Sequence, residues 1–77
     1  MKEAICELLG CHIAKRRLDR GFSQSLLAAS AGISRQALSA IERGEQAPAW
    51  ETIYALADVL RCEVWDLVPS VKQVSRR

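Results

Sequence analysis

Aromatic side chains are scarce in this sequence, with two tryptophans, one tyrosine and one phenylalanine among 77 residues, and helix breakers are few, with two prolines and four glycines. The apolar residues, 49% of the chain, recur at helical spacing, so the pattern is that of a compact all-α domain. The three cysteines, Cys6, Cys11 and Cys62, are odd in number and lack the short paired spacings of zinc sites and disulfide frameworks. A reduced, cytoplasmic protein follows. Cys6 and Cys11 stand roughly 140° apart on a helix at about 100° per residue, so they share no face, and all three read as buried or half-buried small hydrophobes. No long apolar run is present, and the opening MKEAICELLG is amphipathic with acidic residues, which excludes a signal peptide and a membrane span. His12 is the single histidine and has no partner at ligand spacing. With no paired carboxylates and no phosphate-cradling glycine loop, the sequence offers nothing for an enzyme, a metal or a cofactor.

A chain of this length has room for one core and no large active site. The formal charge of +2 is small, but it is unevenly spread. Met1 to Gly44 carries +3, Glu45 to Pro69 carries −4, and Ser70 to Arg77 carries +3. One half of the domain is thus poised for an anionic partner.

Ile5, Leu9 and Ile13 recur every four residues and predict a first helix from Lys2 to Arg20, ended by Gly21. Ser23 is the expected N-cap of a second helix, Gln24 to Ala31, with Leu27, Ala28 and Ala31 facing inward. Gly32 stops it, Ile33 is a buried turn residue, and Ser34 caps a third helix, Arg35 to Arg43, closed by Gly44. Two such short helices joined by so tight a turn cross steeply, and Ala28, Ala29 and Ala31 supply the small residues between them. EQAPA is a loop, and Trp50, Ile53, Leu56, Ala57 and Leu60 form the apolar face of a fourth helix. After a break at Arg61 and Cys62 comes a short fifth helix, Val64 to Val68, ended by Pro69. The folded domain is expected over residues 1–69, followed by a basic, mobile tail over 70–77 whose Lys72, Arg76 and Arg77 either solubilise the end, the commoner role of such a tail, or reach an anionic partner.

On a helical wheel the third helix divides cleanly. Leu38, Ile41 and Ala37 cluster on one side, whereas Gln36, Ser39, Ala40 and Arg43 occupy the opposite arc and Arg35 stands at the exposed first turn. A guanidinium, a carboxamide and a hydroxyl at the start of a helix are the chemistry that reads base edges in a major groove. Arginine suits the two acceptors of guanine, and glutamine the acceptor and donor of adenine.

The segment SQSLLAASAGISRQALSAIERG, followed by Pro48 and IYALADVL, resembles the lambda-repressor-like (Cro or XRE-type) helix-turn-helix family, whose pattern is S-Q-x-x-L-A-x-x-x-G-[VI]-S-x-x-x-[IL]-S-x-[IL]-E-x-G. The likeness runs from the first helix to Leu67. It implies a five-helix domain that binds double-stranded DNA, usually as a homodimer on a near-palindromic site. By resemblance, Arg35, Gln36, Ser39 and Ala40 fall at base-contacting positions, and Ser23, Gln24, Ser34 and Arg43 at positions that contact the DNA backbone. Arg17 and Glu42 correspond to a buried structural salt bridge.

The sequence departs from that pattern in places. Ala40 offers only an apolar contact, so reading rests on Arg35, Gln36 and Ser39. Leu26 stands where the family prefers glutamate, which removes the capping box with Ser23. Arg61 replaces the glycine that ends the fourth helix, at about 1 kcal/mol if the left-handed conformation is kept, and Glu63 replaces a Ser or Thr cap. Trp65 falls at a normally polar position and either folds back over the short core or, the favoured expectation, makes a dimer contact with Val68, Val71 and Val74. The leading expectation is a DNA-binding repressor. The alternative is a module of the same fold that acts through a protein partner, as an antitoxin or accessory subunit, favoured by Leu26, Trp65 and the acidic half.

Overall fold

A computed structural model describes residues 2–68, with side chains from Ile5 onward. Among these residues it holds five helices and no strand: α1 (Lys2–Asp19), α2 (Gln24–Ala31), α3 (Arg35–Glu42), α4 (Trp50–Leu60) and α5 (Val64–Leu67). The expected all-α architecture is the one found, with small differences at helix ends. α1 ends at Asp19, and Arg43 and Val68 are C-caps of α3 and α5 instead of their last helical residues. Val71, Val74 and the tail from Ser70 lie outside the described residues.

The caps explain why the chain breaks where it does. Ser23 Oγ accepts from the Leu26 amide at 3.0 Å, and Ser34 Oγ accepts from the Ala37 amide at 3.0 Å, each satisfying a donor that a helix start leaves free. Between them Gly32 adopts φ +79°, a left-handed backbone open to glycine at little strain, and the Ile33 amide closes the turn onto the Ala28 carbonyl at 2.9 Å. The fourth helix ends differently. Arg61 takes the same left-handed conformation at φ +58° with a full side chain, and the Cys62 amide bonds the Ala57 carbonyl at 3.0 Å. Arg20 Nη2 donates to the Arg61 carbonyl at 3.2 Å and so supports the strained turn. At α5 the missing Ser or Thr is offset by Asp66, whose Oδ2 accepts from the Glu63 amide at 2.9 Å.

All five helices feed one core, in which Ile13, Leu27, Leu38, Leu56, Leu60 and Leu67 are fully buried. Four apolar expectations need correction. Ile5 is exposed, so the core stripe of α1 starts at Leu9; Trp50 is 60% exposed and the α4 face starts at Ile53. Cys11 is exposed, because it lies on the outer side of α1, whereas Cys6 and Cys62 are half-buried. Ala29 is exposed as well, so the approach of α2 to α3 rests on Ala28, which is buried, and on Ala31 and Ile33, which are half-buried.

α1 packs against α3, α4 and α5 and so organises the rest. His12 Nδ1–H donates to the Leu67 carbonyl at 2.9 Å, and Arg16 faces Asp66 at 3.7 Å, both joining α1 to the short α5. The contact with α3 is made at Gly10. A Cβ there would stand 2.6 Å from the Glu42 carbonyl oxygen and 2.8 Å from its carbon, so backbone meets backbone at this crossing. Glycine inside a helix is normally unfavourable by about 1 kcal/mol relative to alanine; here the absence of a side chain is what lets the helices meet. Gly10→Ala is therefore expected to destabilise the domain by about 1–3 kcal/mol despite its better helix propensity, read as a lower urea midpoint. A rise in the midpoint would show that the crossing has slack.

Candidate nucleic-acid interface

The rotation of α3 is set by its two buried residues, Leu38 and Ile41, which turn the opposite arc outward. Arg35, Gln36 and Arg43 are exposed, and Ser39 and Ala40 are half-exposed between them. The residues singled out on the third helix thus share one surface. Ser23 and Ser34 sit at the starts of α2 and α3, where each hydroxyl oxygen is occupied by its cap and each proton remains to be donated outward.

A polar chain fixes this surface to the core. Arg17 Nε donates to Glu42 Oε2 at 2.8 Å, Nη2 to Oε1 at 3.1 Å and Nη1 to the Phe22 carbonyl at 2.9 Å. The two side chains are only 12% and 7% exposed, so the fork is largely desolvated. Gln24 Nε2 donates to Glu42 Oε1 at 2.9 Å, and its carbonyl oxygen lies 3.5 Å from Arg35 Nη1. α1, the end of α3, the start of α2 and the first turn of α3 are thereby connected in sequence. The carboxamide of Gln24 is partly committed inside the protein, a role its exposed position in the pattern did not reveal.

Glu45 is the residue that sequence reasoning missed. Arg43 Nη1 donates to Ser39 Oγ, and Nη2 donates to Glu45 Oε1 at 3.0 Å, with both charged side chains well exposed. The hydrogen bond, and then the charge of Arg43, hold the Glu45 carboxyl below the usual carboxylate range, while Glu45 raises Arg43 by the same two effects. The signal was present only as opposite charges straddling Gly44, which read as the start of an acidic loop.

Beyond α3, Trp65 is 73% exposed beside a half-buried Val68, and Leu26 is 51% exposed on α2. Trp50 and Tyr54 form a second aromatic surface, with ring centroids 6.2 Å apart. Among the described residues, no group of three or more His, Cys, Asp or Glu is placed to hold a metal ion, and no helix is long and apolar enough to cross a membrane. Burial raises the Cys62 thiol pKa, which keeps it a small apolar side chain more than a nucleophile.

A helix-turn-helix family model matches residues 13–64, from the middle of α1 to the start of α5. The chain belongs to the Cro/XRE-type helix-turn-helix family. This helix-turn-helix domain is 37% identical over 62 residues to the uncharacterized HTH-type transcriptional regulator y4dJ of Sinorhizobium fredii, covering 80% of each chain. In structure it is similar to the restriction-modification controller protein C.AhdI of Aeromonas hydrophila, with a TM-score of 0.81, 30% identity and coverage of 83% of this chain and 97% of the other. The N-terminal DNA binding domain of SinR from Bacillus subtilis is also similar, with a TM-score of 0.78, 32% identity and coverage of 84% and 96%. The two solved structures share the fold over most of this chain, and the helix-turn-helix of this chain is α2 and α3.

Because Arg17 and Glu42 are both largely buried, removing one leaves the other uncompensated. Glu42→Ala is expected to lose about 3–5 kcal/mol of unfolding free energy in urea titration. Arg17→Met with Glu42→Leu recovers much of that loss but not all, since the Phe22 carbonyl also loses its donor. Equal losses in the single and double variants would contradict this account of the pair.

Proposed function

We propose that this helix-turn-helix domain is a sequence-specific regulator of transcription that binds double-stranded DNA, acting as a repressor by occupying a near-palindromic operator as a homodimer. The observation that carries this reading is the outward arc of α3, where Arg35, Gln36, Ser39 and Ala40 stand together on a capped helix whose inner face is locked into the core. In this reading α3 lies in the major groove, with Arg35 and Gln36 making bidentate contacts and Ser39 a single hydrogen bond. Ser23, Gln24, Ser34 and Arg43 hold the phosphates on either side, aided by the positive ends of α2 and α3. Neither a cofactor nor catalysis is involved, and regulation takes place in the cytoplasm on nucleoid DNA. Residues 1–69 form the binding domain and 70–77 a basic appendage.

The dimer contact in this reading is built on Trp65 and Val68, continued by Val71. An exposed tryptophan beside a half-buried valine suits the apolar centre of a small interface. A second reading is favoured by Leu26, Trp65 and the Trp50–Tyr54 pair, whose exposure also suits a module that acts through a protein partner.

Selection from random duplexes followed by salt titration separates the two. A two-fold symmetric consensus with half-sites about one helical turn apart supports operator binding, whereas no enrichment favours the partner. On the enriched duplex, Arg35→Ala is expected to relax discrimination at one base position by about 1–3 kcal/mol, while Gln24→Ala weakens all sequences evenly. Uniform losses for Arg35→Ala would remove it from the base-reading set. Trp65→Ala is expected to shift the light-scattering mass toward the monomer at micromolar concentration, and an unchanged dimer would move the interface elsewhere.

A further inference from the structure

The Arg43–Glu45 pair has no evident part in the fold. Both side chains are exposed and stand outside the core, yet they occupy the end of the same arc that carries Gln36 and Ser39. Arg43 is held from two sides, by Ser39 Oγ on the recognition surface and by the Glu45 carboxylate 3.0 Å away across Gly44. A carboxylate and a phosphate compete for the same guanidinium edge, so Arg43 cannot give Nη2 to both.

We propose that Glu45 is a specificity-determining residue of the DNA-binding surface, an internal stand-in for phosphate that retains Arg43, and through it Ser39, until a cognate site displaces both. The proposal rests on the DNA reading of α3 given above. Exposed ion pairs hold by about fivefold or less in equilibrium constant, so the latch is weak enough for a well-placed phosphate to open. On non-cognate DNA no base donor compensates Ser39 Oγ for losing the Arg43 guanidinium, and the latch stays closed. On the cognate site Ser39 turns to a base, Arg43 moves to the backbone, and the contact is gained only there. A freed Glu45 carboxylate would face an anionic backbone, which adds to the cost of opening the latch and keeps it closed where no base contact offsets that cost. Sequence-independent phosphate contact is the part of binding this arrangement suppresses.

The test uses the full chain and the Glu45→Gln variant, whose thermal unfolding should match because the site is exposed. The probes are a fluorescent random-sequence 20-base-pair duplex and the duplex enriched by selection. Glu45→Gln is expected to bind the random duplex about three- to tenfold more tightly, with a log–log salt slope steeper by about 0.9, one added phosphate contact. The enriched duplex gains less, so the ratio between the two falls. Arg43→Ala is expected to abolish the gain in the Glu45→Gln background, so that the double variant binds the random duplex no more tightly than Arg43→Ala alone. Equal gains on both duplexes, or a gain that survives Arg43→Ala, would make Glu45 a plain repulsive charge and overturn the latch. No change in affinity or slope, with salt-dependent binding by the wild type intact, would overturn it too. If the wild type binds neither duplex in a salt-dependent way, the DNA reading itself fails and the proposal falls with it.

Discussion

The buried fork between Arg17 and Glu42 is the constraint around which the domain is arranged. Glu42 is the last residue of α3, where unsatisfied carbonyls make a carboxylate unfavourable, and it is nearly out of contact with water. Only a guanidinium in fixed register makes that position tolerable. Arg17 provides it from α1 while also holding the Phe22 carbonyl, so one side chain determines where the chain leaves α1 and where α3 ends. Desolvation offsets much of the attraction, and the pair contributes orientation more than stability. Gln24 extends that orientation to the start of α2 and to Arg35. The side chains of the outward arc are thereby referenced to the core through hydrogen bonds as well as through Leu38 and Ile41.

Much of this was legible in the sequence because the signals were local. Ser23, Gly32, Ser34 and Gly44 mark helix ends through their own backbone chemistry, and a wheel drawn on α3 separates buried Leu38 and Ile41 from the polar arc without tertiary information. Interactions whose partner lies elsewhere in the chain were harder to read. Gly10 reads as a weak point in a helix until α3 is seen lying on it. Ile5 and Trp50 satisfy the periodicity of their helices yet stay exposed, because each stands near a helix start, beyond the reach of the core. The engagement of Gln24 with Glu42 and of Ser39 with Arg43 depends on side-chain placement that periodicity does not carry.

α5 shows how a marginal element can be made definite. Four residues are too few to hold a helix in isolation. Leu67 inserts fully into the core, Asp66 ties the Glu63 amide, and His12 takes the Leu67 carbonyl from the side of α1. The outcome is a rigid platform that presents Trp65 to solvent, which is costly for a lone tryptophan but suited to burial against a second surface. The distribution of charge fits the same division: the segment through α3 is net basic, whereas the segment from Glu45 through α5 is net acidic.

The crossing at Gly10 has one further implication. Where two helices are separated by side chains, their spacing drifts whenever those side chains change, and a surface built on one of them drifts as well. Here, at Gly10, main-chain atoms of α3 lie directly on the backbone of α1, and those atoms are the same for every sequence. The side chains of Gln36, Ser39 and Ala40 take no part in that contact, which involves the backbone of Ile41 and Glu42. In the proposed reading, exchanging Gln36, Ser39 or Ala40 would change the recognising face while this backbone contact stayed as it is, a fixed mount with an interchangeable face.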